Sequence, residues 1–199
     1  MKDSQKMKDE DIRPILFDYL DEQGVRGRFF EEFVMGRRTR ADALLVREDL
    51  IGFEIKSDRD TLARLKRQIK GYHQFCDRSY IVVGAKYLEK VQEEVPDNWG
   101  VILIKKGENE EDQPSLEILR EAQPGPREHL RSQLHLLWRS ELIEIIRNHK
   151  LGGVSGKNKQ RLREMIYHGL PRETVRKELC EALIQRDYSL YEGEDQEED

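Results

Sequence analysis

The stretch LIGFEIKSDRD, residues 50–60, is an apolar run that contains two charged side chains, Glu54 and Lys56, with one residue between them. Its apolar residues and short length predict a buried β-strand. A charged pair inside such a strand is energetically costly unless its members are solvated, paired or bound to a metal ion. The purpose of this pair is therefore the first question that the sequence raises.

The residues before this run predict a β-hairpin. ADALLV (41–46) is typical of a second strand, and RED (47–49) of a short polar turn. A turn centred on Glu48 pairs Val46 with Leu50, Leu44 with Gly52, and Asp42 with Glu54. Opposed side chains are about 4.5–5.5 Å apart at Cβ, and Lys56 shares the face of Glu54 because strand side chains alternate. Three charged groups are therefore expected at one end of the hairpin.

Two facing carboxylates repel each other unless a proton or a cation lies between them. Oxygen ligands favour a hard ion, so Asp42 and Glu54 predict a site for Mg²⁺ or Mn²⁺. The ammonium of Lys56 could hold or deprotonate a water there, or stabilise a pentavalent phosphate. The alternative is an ordinary ion pair between Glu54 and Lys56 on a solvated sheet, because acid-x-Lys triplets arise by chance in a chain that is 38% charged.

The flanking segments predict an α/β fold, with a mixed sheet flanked by helices. Upstream, residues 11–23 have a helical apolar stripe that ends at Gly24, and RFFEEFVM is typical of a strand. Downstream, residues 60–76 predict a helix with Asp60 as its N-cap, which connects the Glu54 strand to SYIVVG by a right-handed crossover. A short helix at YLEKVQEEV, a strand at GVILI and an edge strand at SLEIL follow.

The composition predicts two domains and a tail. EAQPGPRE is a Pro/Gly-rich linker with a boundary near Pro124, so we expect a domain at residues 1–120 and a small all-helical domain at 127–190. Residues 191–199 are strongly acidic and are expected to be disordered. The tail accounts for the formal net charge of −5, so the global charge neither favours nor excludes nucleic acid.

Other features predict a cytoplasmic location. No apolar run approaches the ~20 residues that cross a bilayer, and the charged N-terminus does not fit a secretory signal. We therefore expect no membrane partner. The two cysteines, Cys76 and Cys180, lack metal-ligand spacing and are expected to be reduced thiols.

The order helix, strand, Asp-bearing strand, Glu-x-Lys strand, helix, strand resembles the PD-(D/E)XK nuclease superfamily, over roughly residues 12–104. Ala41 stands where that motif has proline. Gln68 and Tyr72 resemble the Gln-x-x-x-Tyr motif of RecB-type members, and RADALLVREDLIGFEIKSDRDTL as a whole resembles a poorly characterised bacterial family. The resemblance implies a restriction-endonuclease-like core.

The resemblance also implies roles for individual residues. Asp42 and Glu54 would bind the metal together with the Ile55 carbonyl, and Lys56 would position or activate the attacking water. Gln68 would orient the site or the scissile phosphate, with Tyr72 assisting from the same helix. An N-terminal acid often completes the metal shell, and Glu32 is the candidate, with Glu31 as the alternative.

Basic residues around the hairpin predict a polyanionic partner, namely DNA. Phosphate contacts are expected from Arg38, Arg40, Arg64 and Arg67, in a region that also contains Arg37, Arg59, Lys66 and Lys70. Such residues can hold a nucleic-acid backbone without reading bases. Taken singly, each is better explained as a solvated surface charge.

The segment ELIEIIRNHKLGGVSGKNKQRLREMI, residues 141–166, resembles a SAP-type helix–loop–helix module, which often binds DNA. Gly156 and Lys157 match its turn. A small core is predicted from Leu142, Ile145, Ile146, Leu162, Met165 and Ile166, and phosphate contacts from Lys157, Lys159, Arg161 and Arg163. A plain helical packing domain is the alternative.

The sequence therefore predicts a Mg²⁺- or Mn²⁺-dependent deoxyribonuclease, acting as an endonuclease in DNA repair, recombination or defence. The alternative is a non-catalytic nucleic-acid-binding or assembly protein that has kept the nuclease fold. A third interpretation is a phosphodiesterase directed at RNA or nucleotides. Target specificity and the choice between a homodimer and another protein partner stay open.

Overall fold

The hairpin around Glu48 lies within one six-stranded sheet. The computed structural model describes residues 7–37, 39–107, 113–125 and 129–190. The strands are β1 (Arg28–Gly36), β2 (Thr39–Val46), β3 (Leu50–Lys56), β4 (Arg78–Gly84), β5 (Gly100–Lys105) and β6 (Ser115–Arg120). The helices are α1 (Asp9–Glu22), α2 (Leu65–Phe75), α3 (Leu88–Glu94), α4 (Leu130–Gln133), α5 (Arg139–Asn148), α6 (Lys159–Gly169) and α7 (Arg172–Gln185).

The sheet has the strand order β1-β2-β3-β4-β5-β6. The pairs β3–β4 and β4–β5 are parallel, whereas β1–β2, β2–β3 and β5–β6 are antiparallel. This arrangement confirms the predicted α/β class, a mixed sheet flanked by helices and followed by a helical C-terminal region. Among the described residues, no helix is both long enough and apolar enough to span a bilayer.

The predicted hairpin register is confirmed for its first two pairs, Val46–Leu50 and Leu44–Gly52. The predicted pair Asp42–Glu54 follows the same register but is not part of the ladder, which ends one pair earlier, at Ala43–Phe53. Asp42 lies just beyond the ladder, and its Oδ2 accepts a hydrogen bond of 2.8 Å from the Ile55 backbone N–H.

Helices cover both faces of the sheet. On one face, α1 contributes Ile12, Leu16 and Leu20 to an apolar cluster with residues of β2 to β5. On the other face, α2 and the C-terminal helices share a single apolar cluster. Every residue of β3 is buried between these layers, so Glu54 and Lys56 are buried with it.

Two glycines allow α2 to lie close to the sheet. A Cβ on Gly52 would lie 2.6 Å from Cys76 Sγ and 2.7 Å from the Tyr72 ring. A Cβ on Gly71 would clash with the side chain of Thr39. Gly71 lies within one helical turn of Gln68. The close approach at Gly71 therefore sets the distance between Gln68 and the end of the hairpin.

The predicted N-cap at Asp60 was wrong. A 3₁₀ turn, Leu62–Arg64, precedes α2, and Thr61 caps that turn through its backbone only. Asp60 Oδ2 instead accepts hydrogen bonds from the Ser57 N–H at 2.8 Å and the Ser57 hydroxyl at 2.6 Å. Its carboxylate therefore closes the turn that follows β3.

The predicted boundary near Pro124 falls in a stretch without helix or strand. The segments on its two sides share one apolar cluster. Gln133 Nε2 donates to the Phe75 carbonyl at 3.0 Å, and Arg176 pairs with Asp77 at 2.8 Å. The division into two domains stays a prediction, but the sheet buries apolar surface against the C-terminal helices. The predicted acidic tail, residues 191–199, lies outside the described residues.

Candidate active site

A cleft of about 360 Å³ lies between α1, the end of the hairpin and the start of α2. The predicted site residues that line it are Glu32, Arg40, Asp42, Glu54, Ile55, Lys56, Arg64, Arg67 and Gln68. Tyr72, Lys157 and Lys159 are not among the lining residues, and Arg38 lies outside the described residues. The structure therefore brings most of the predicted site into one place.

Glu54 is the most deeply buried of these charged groups, with no exposed surface. Lys56 Nζ and Gln68 Nε2 both donate to the same oxygen, Glu54 Oε1. Among the described residues, the other oxygen, Oε2, has no hydrogen-bond partner, and neither has Gln68 Oε1. Buried polar atoms in folded proteins are nearly always satisfied, so two unpartnered acceptors in one cleft point to a missing donor or cation.

Burial first, and the nearby Asp42 second, raise the pKa of Glu54 to about 7, although Lys56 and Tyr72 oppose the shift. Burial also raises the pKa of Asp42, although the hydrogen bond from the Ile55 N–H and the charge of Lys56 lower it in part. Both carboxyls thus resist carrying a negative charge alone. A bound cation would relieve both of them.

The backbone and side chain of Asp42 are each anchored. Its N–H donates to Tyr72 Oη at 3.3 Å, and its carbonyl accepts from Arg13 Nη1 at 2.7 Å. With the Ile55 N–H on Oδ2, three contacts fix this residue although it lies beyond the β2–β3 ladder.

A divalent cation fits these residues. Asp42 and Glu54 supply two carboxylates in the same cleft, beside Ile55, whose carbonyl is the predicted backbone ligand. The described residues contain no group of three or more His, Cys, Asp and Glu side chains that could hold a metal ion. Mg²⁺ does not require one, because it commonly keeps several waters and takes one or two carboxylates together with substrate phosphates.

The choice between Glu31 and Glu32 is decided by the β1 backbone. Glu32 has φ of 52°, a left-handed conformation that is uncommon for a residue other than glycine. It lines the cleft, whereas Glu31 does not. The Glu32 carboxylate is paired with Arg13 and Arg40. Its predicted role as a metal ligand stays a prediction, since these arginines occupy its oxygens.

Tyr72 is completely buried and is not among the residues that line the cleft, so its assisting role stays a prediction. Its hydroxyl donates to the Phe53 carbonyl at 2.8 Å and accepts from the Asp42 N–H. Tyr72 therefore supports β2 at Asp42.

Arg13, which was not among the predicted site residues, reaches the cleft from α1. Its side chain is 14% exposed and contacts Asp9, Glu32 and the Asp42 carbonyl. The only local signal was the Asp9–Arg13 spacing of four residues, which is typical of a surface helix pair. The contacts that matter join residues that are far apart in the sequence.

The cations at the mouth of the cleft are arranged on α2 and β2. Arg64 and Arg67 are exposed and form no ion pair within the described part of the chain. Neither the 3₁₀ turn nor the first turn of α2 contains an acid. Arg40 is 59% exposed and pairs with Glu32. This edge is therefore suited to attract an anion, because a helix N-terminus also carries partial positive charge.

The C-terminal segment forms the predicted helix, turn and helix. Leu142, Ile145, Ile146, Leu162 and Ile166 are buried, and Met165 is partly buried. Gly156 has φ of +67°, and Asn158 caps α6 by accepting from the Arg161 N–H at 2.9 Å. Lys157 and Lys159 are partly exposed. The phosphate contact predicted for Arg163 was wrong, because its side chain is buried.

Comparison with known proteins gives one family. The family model described as bacteriophage P4 protein cII matches residues 2–193. Protein cII of Enterobacteria phage P4 is 28% identical over 102 residues, which cover 50% of this chain and 39% of that protein. The chain therefore matches well under half the length of this relative. A Silicibacter pomeroyi protein of unknown function superposes with a TM-score of 0.45 at 21% identity, over 72% of this chain and 94% of that one.

Proposed function

The chain belongs to the bacteriophage P4 protein cII family, and we propose that it is a Mg²⁺- or Mn²⁺-dependent nuclease that cuts DNA phosphodiester bonds as an endonuclease. One observation carries the proposal: buried Glu54 shares one oxygen between Lys56 and Gln68, leaves the other unpartnered, and lies in the same cleft as Asp42. Placing such a group in a sheet interior lowers stability, so it needs a functional reason.

Each residue then has a distinct task. Asp42 and Glu54 hold the divalent ion, which, when bound, would stabilise charge on the phosphate and lower the pKa of a water. Lys56 holds the attacking water beside Glu54. Gln68 keeps Glu54 oriented through its amide N–H, and its free Oε1 can accept a hydrogen bond from that water.

The surrounding arginines would hold the substrate. Arg64 and Arg67 are exposed cations that line the cleft, and Arg40 lines the same cleft from β2. Guanidinium groups contact phosphate oxygens without selecting bases, which suits positioning of a nucleic-acid backbone. We propose duplex DNA as the substrate, with Lys157 and Lys159 of the C-terminal segment as additional phosphate contacts.

A nucleic-acid-binding protein without activity is the second candidate. The observation that favours it is the pairing of Glu32 with Arg13 and Arg40, which occupies the third acid of the cleft. Binding alone would require only the exposed arginines. The buried Glu54–Lys56 pair would then have no purpose, which is why we place the nuclease first.

The proposal places the protein in the cytoplasm, with DNA as its partner. Cys76 and Cys180 are both buried and free, as expected for a reducing compartment.

The test is incubation of the protein with supercoiled plasmid, linear duplex and single-stranded DNA, each with Mg²⁺, Mn²⁺ or EDTA. The proposal predicts relaxed or linearised plasmid with either metal and intact plasmid with EDTA. Shortening confined to linear ends would make the protein an exonuclease instead. Intact DNA under every condition, with retained DNA binding in a gel-shift assay, would reject the nuclease in favour of the binding protein.

A further inference from the structure

Arg13 contacts three separate parts of the cleft with a single side chain. Its Nε donates to Asp9 at 2.5 Å on the same helix, and its Nη2 pairs with Glu32 on β1. Its Nη1 donates to the Asp42 carbonyl at 2.7 Å, within β2. The Arg13 side chain is 14% exposed, and all three contacts are partly buried.

The contact with Asp42 replaces strand pairing that is absent there. The β2–β3 ladder ends at Ala43–Phe53, so Asp42 is not held by the ladder to β3. Its N–H, its carbonyl and its Oδ2 are bound instead by Tyr72, Arg13 and the Ile55 N–H. Of these, only Arg13 comes from the opposite face of the sheet, where α1 packs.

We propose that Arg13 is a positioning residue that fixes Asp42 in the orientation in which its carboxylate faces the cleft. Through this contact, the seating of α1 on the sheet controls the geometry of the site. The part of the inference that concerns cation binding rests on the proposed function; the part that concerns Asp42 does not. Partners that orient a ligating carboxylate typically change metal affinity by about 10–100-fold when they are removed.

The planar guanidinium is essential to this role. One group donates to four partners, Asp9, Glu31, Glu32 and the Asp42 carbonyl. A lysine ammonium keeps the charge but lacks this fixed fork. Arg13→Lys should therefore resemble Arg13→Ala in its effect on Asp42, although it preserves the net charge of the cleft.

Glu32 must be controlled in the experiment. Removal of Arg13 would also release part of the Glu32 carboxylate, which could then bind a cation itself and mask the loss. Arg13→Ala is therefore compared in the Glu32→Gln background. Arg26→Ala serves as the matched control, because Arg26 is exposed and does not line the cleft.

The first readout is metal-free amide hydrogen exchange by NMR, in EDTA. The Ile55 N–H donates to Asp42 Oδ2, so its exchange reports whether that carboxylate is fixed. Arg13→Ala and Arg13→Lys should speed exchange of the Ile55 N–H by about tenfold over the wild type, after correction for any change in global stability. Arg26→Ala should leave it unchanged. Unchanged Ile55 exchange in both Arg13 variants would overturn the inference.

The second readout is Mn²⁺ affinity by calorimetry. Arg13→Ala with Glu32→Gln should bind Mn²⁺ about tenfold or more weakly than Glu32→Gln alone, and added guanidinium should restore part of the loss. Equal affinity in these two proteins would overturn the role of Arg13 in cation binding. If the wild type binds no Mn²⁺ and cuts no DNA, the proposed function fails, while the exchange result still decides the role of Arg13.

Discussion

The buried carboxyl of Glu54 should make the metal-free protein less stable as the pH rises. Burial first, and Asp42 second, raise its pKa from an ordinary value of 4.5 to about 7. The folded protein therefore binds this proton more tightly than the unfolded chain does. The stabilisation is fully present below about pH 4.5 and is lost as the pH rises through about 7. The difference in pKa corresponds to about 3 kcal/mol.

Glu54→Gln removes this titration while keeping the shape of the side chain. We expect the free energy of unfolding of the wild type, measured by urea titration in EDTA, to fall by up to about 3 kcal/mol between pH 5 and pH 8, relative to the variant. The readout is the change with pH rather than the absolute stability, because the new amide also changes local hydrogen bonding. Glu117→Gln on the exposed edge strand β6 is the matched control.

If the wild type and Glu54→Gln lose or gain stability in parallel from pH 5 to pH 8, then Glu54 does not carry a raised pKa. The interpretation of Asp42 and Glu54 as a cation-binding pair would then be refuted. A pH-dependent difference of the same size in Glu117→Gln would show that the effect is not specific to the cleft.

Three further variants test separate parts of the mechanism. Lys56→Ala should keep Mn²⁺ binding and duplex affinity but lose plasmid cleavage, because both carboxylates remain; cleavage at the wild-type rate would contradict its role. Gly71→Ala should lower the free energy of unfolding by about 1–3 kcal/mol and slow cleavage, because the new Cβ would clash with Thr39 and displace α2. An unchanged urea midpoint and an unchanged cleavage rate would refute the close packing. Lys157→Ala combined with Lys159→Ala should weaken duplex binding in fluorescence anisotropy and reduce its log–log salt slope by about 0.9 per lost contact, with cleavage at saturating protein intact. Equal binding across the salt range would show that this segment does not contact DNA.

The local features of the fold could be predicted from sequence because they depend on short-range patterns. The alternation of residues and a short polar turn were enough to give the hairpin and the first pairs of its register. Apolar residues at helical spacing identified the buried face of α2 and of the residues that flank it, from Leu62 to Cys76. The acids and the lysine of the site were found because they lie on two strands joined by that turn.

The errors arose where contacts between distant segments override local preference. Asp60 has the residue type of an N-cap, but its carboxylate is used by Ser57 in the preceding turn. The choice between Glu31 and Glu32 depended on one left-handed residue in β1, which alternation cannot reveal. Arg13 could not be identified, because its partners on β1 and β2 meet it only after α1 packs on the sheet.

The C-terminal helices show the same limit. The Pro/Gly-rich linker suggested a separable domain, but the helices after it bury apolar surface against the sheet face that carries α2. Truncation before Leu130 would expose that face, so point substitutions are the suitable way to test the segment.

The claim on which the account depends is that Asp42 and Glu54 together hold a divalent cation. The most direct test is a calorimetric titration of Mn²⁺ into the wild type, Asp42→Ala, Glu54→Ala and Lys56→Ala at neutral pH. We predict that both carboxylate variants lose binding and that Lys56→Ala retains it. Equal Mn²⁺ affinity in the wild type and in both carboxylate variants would contradict the account.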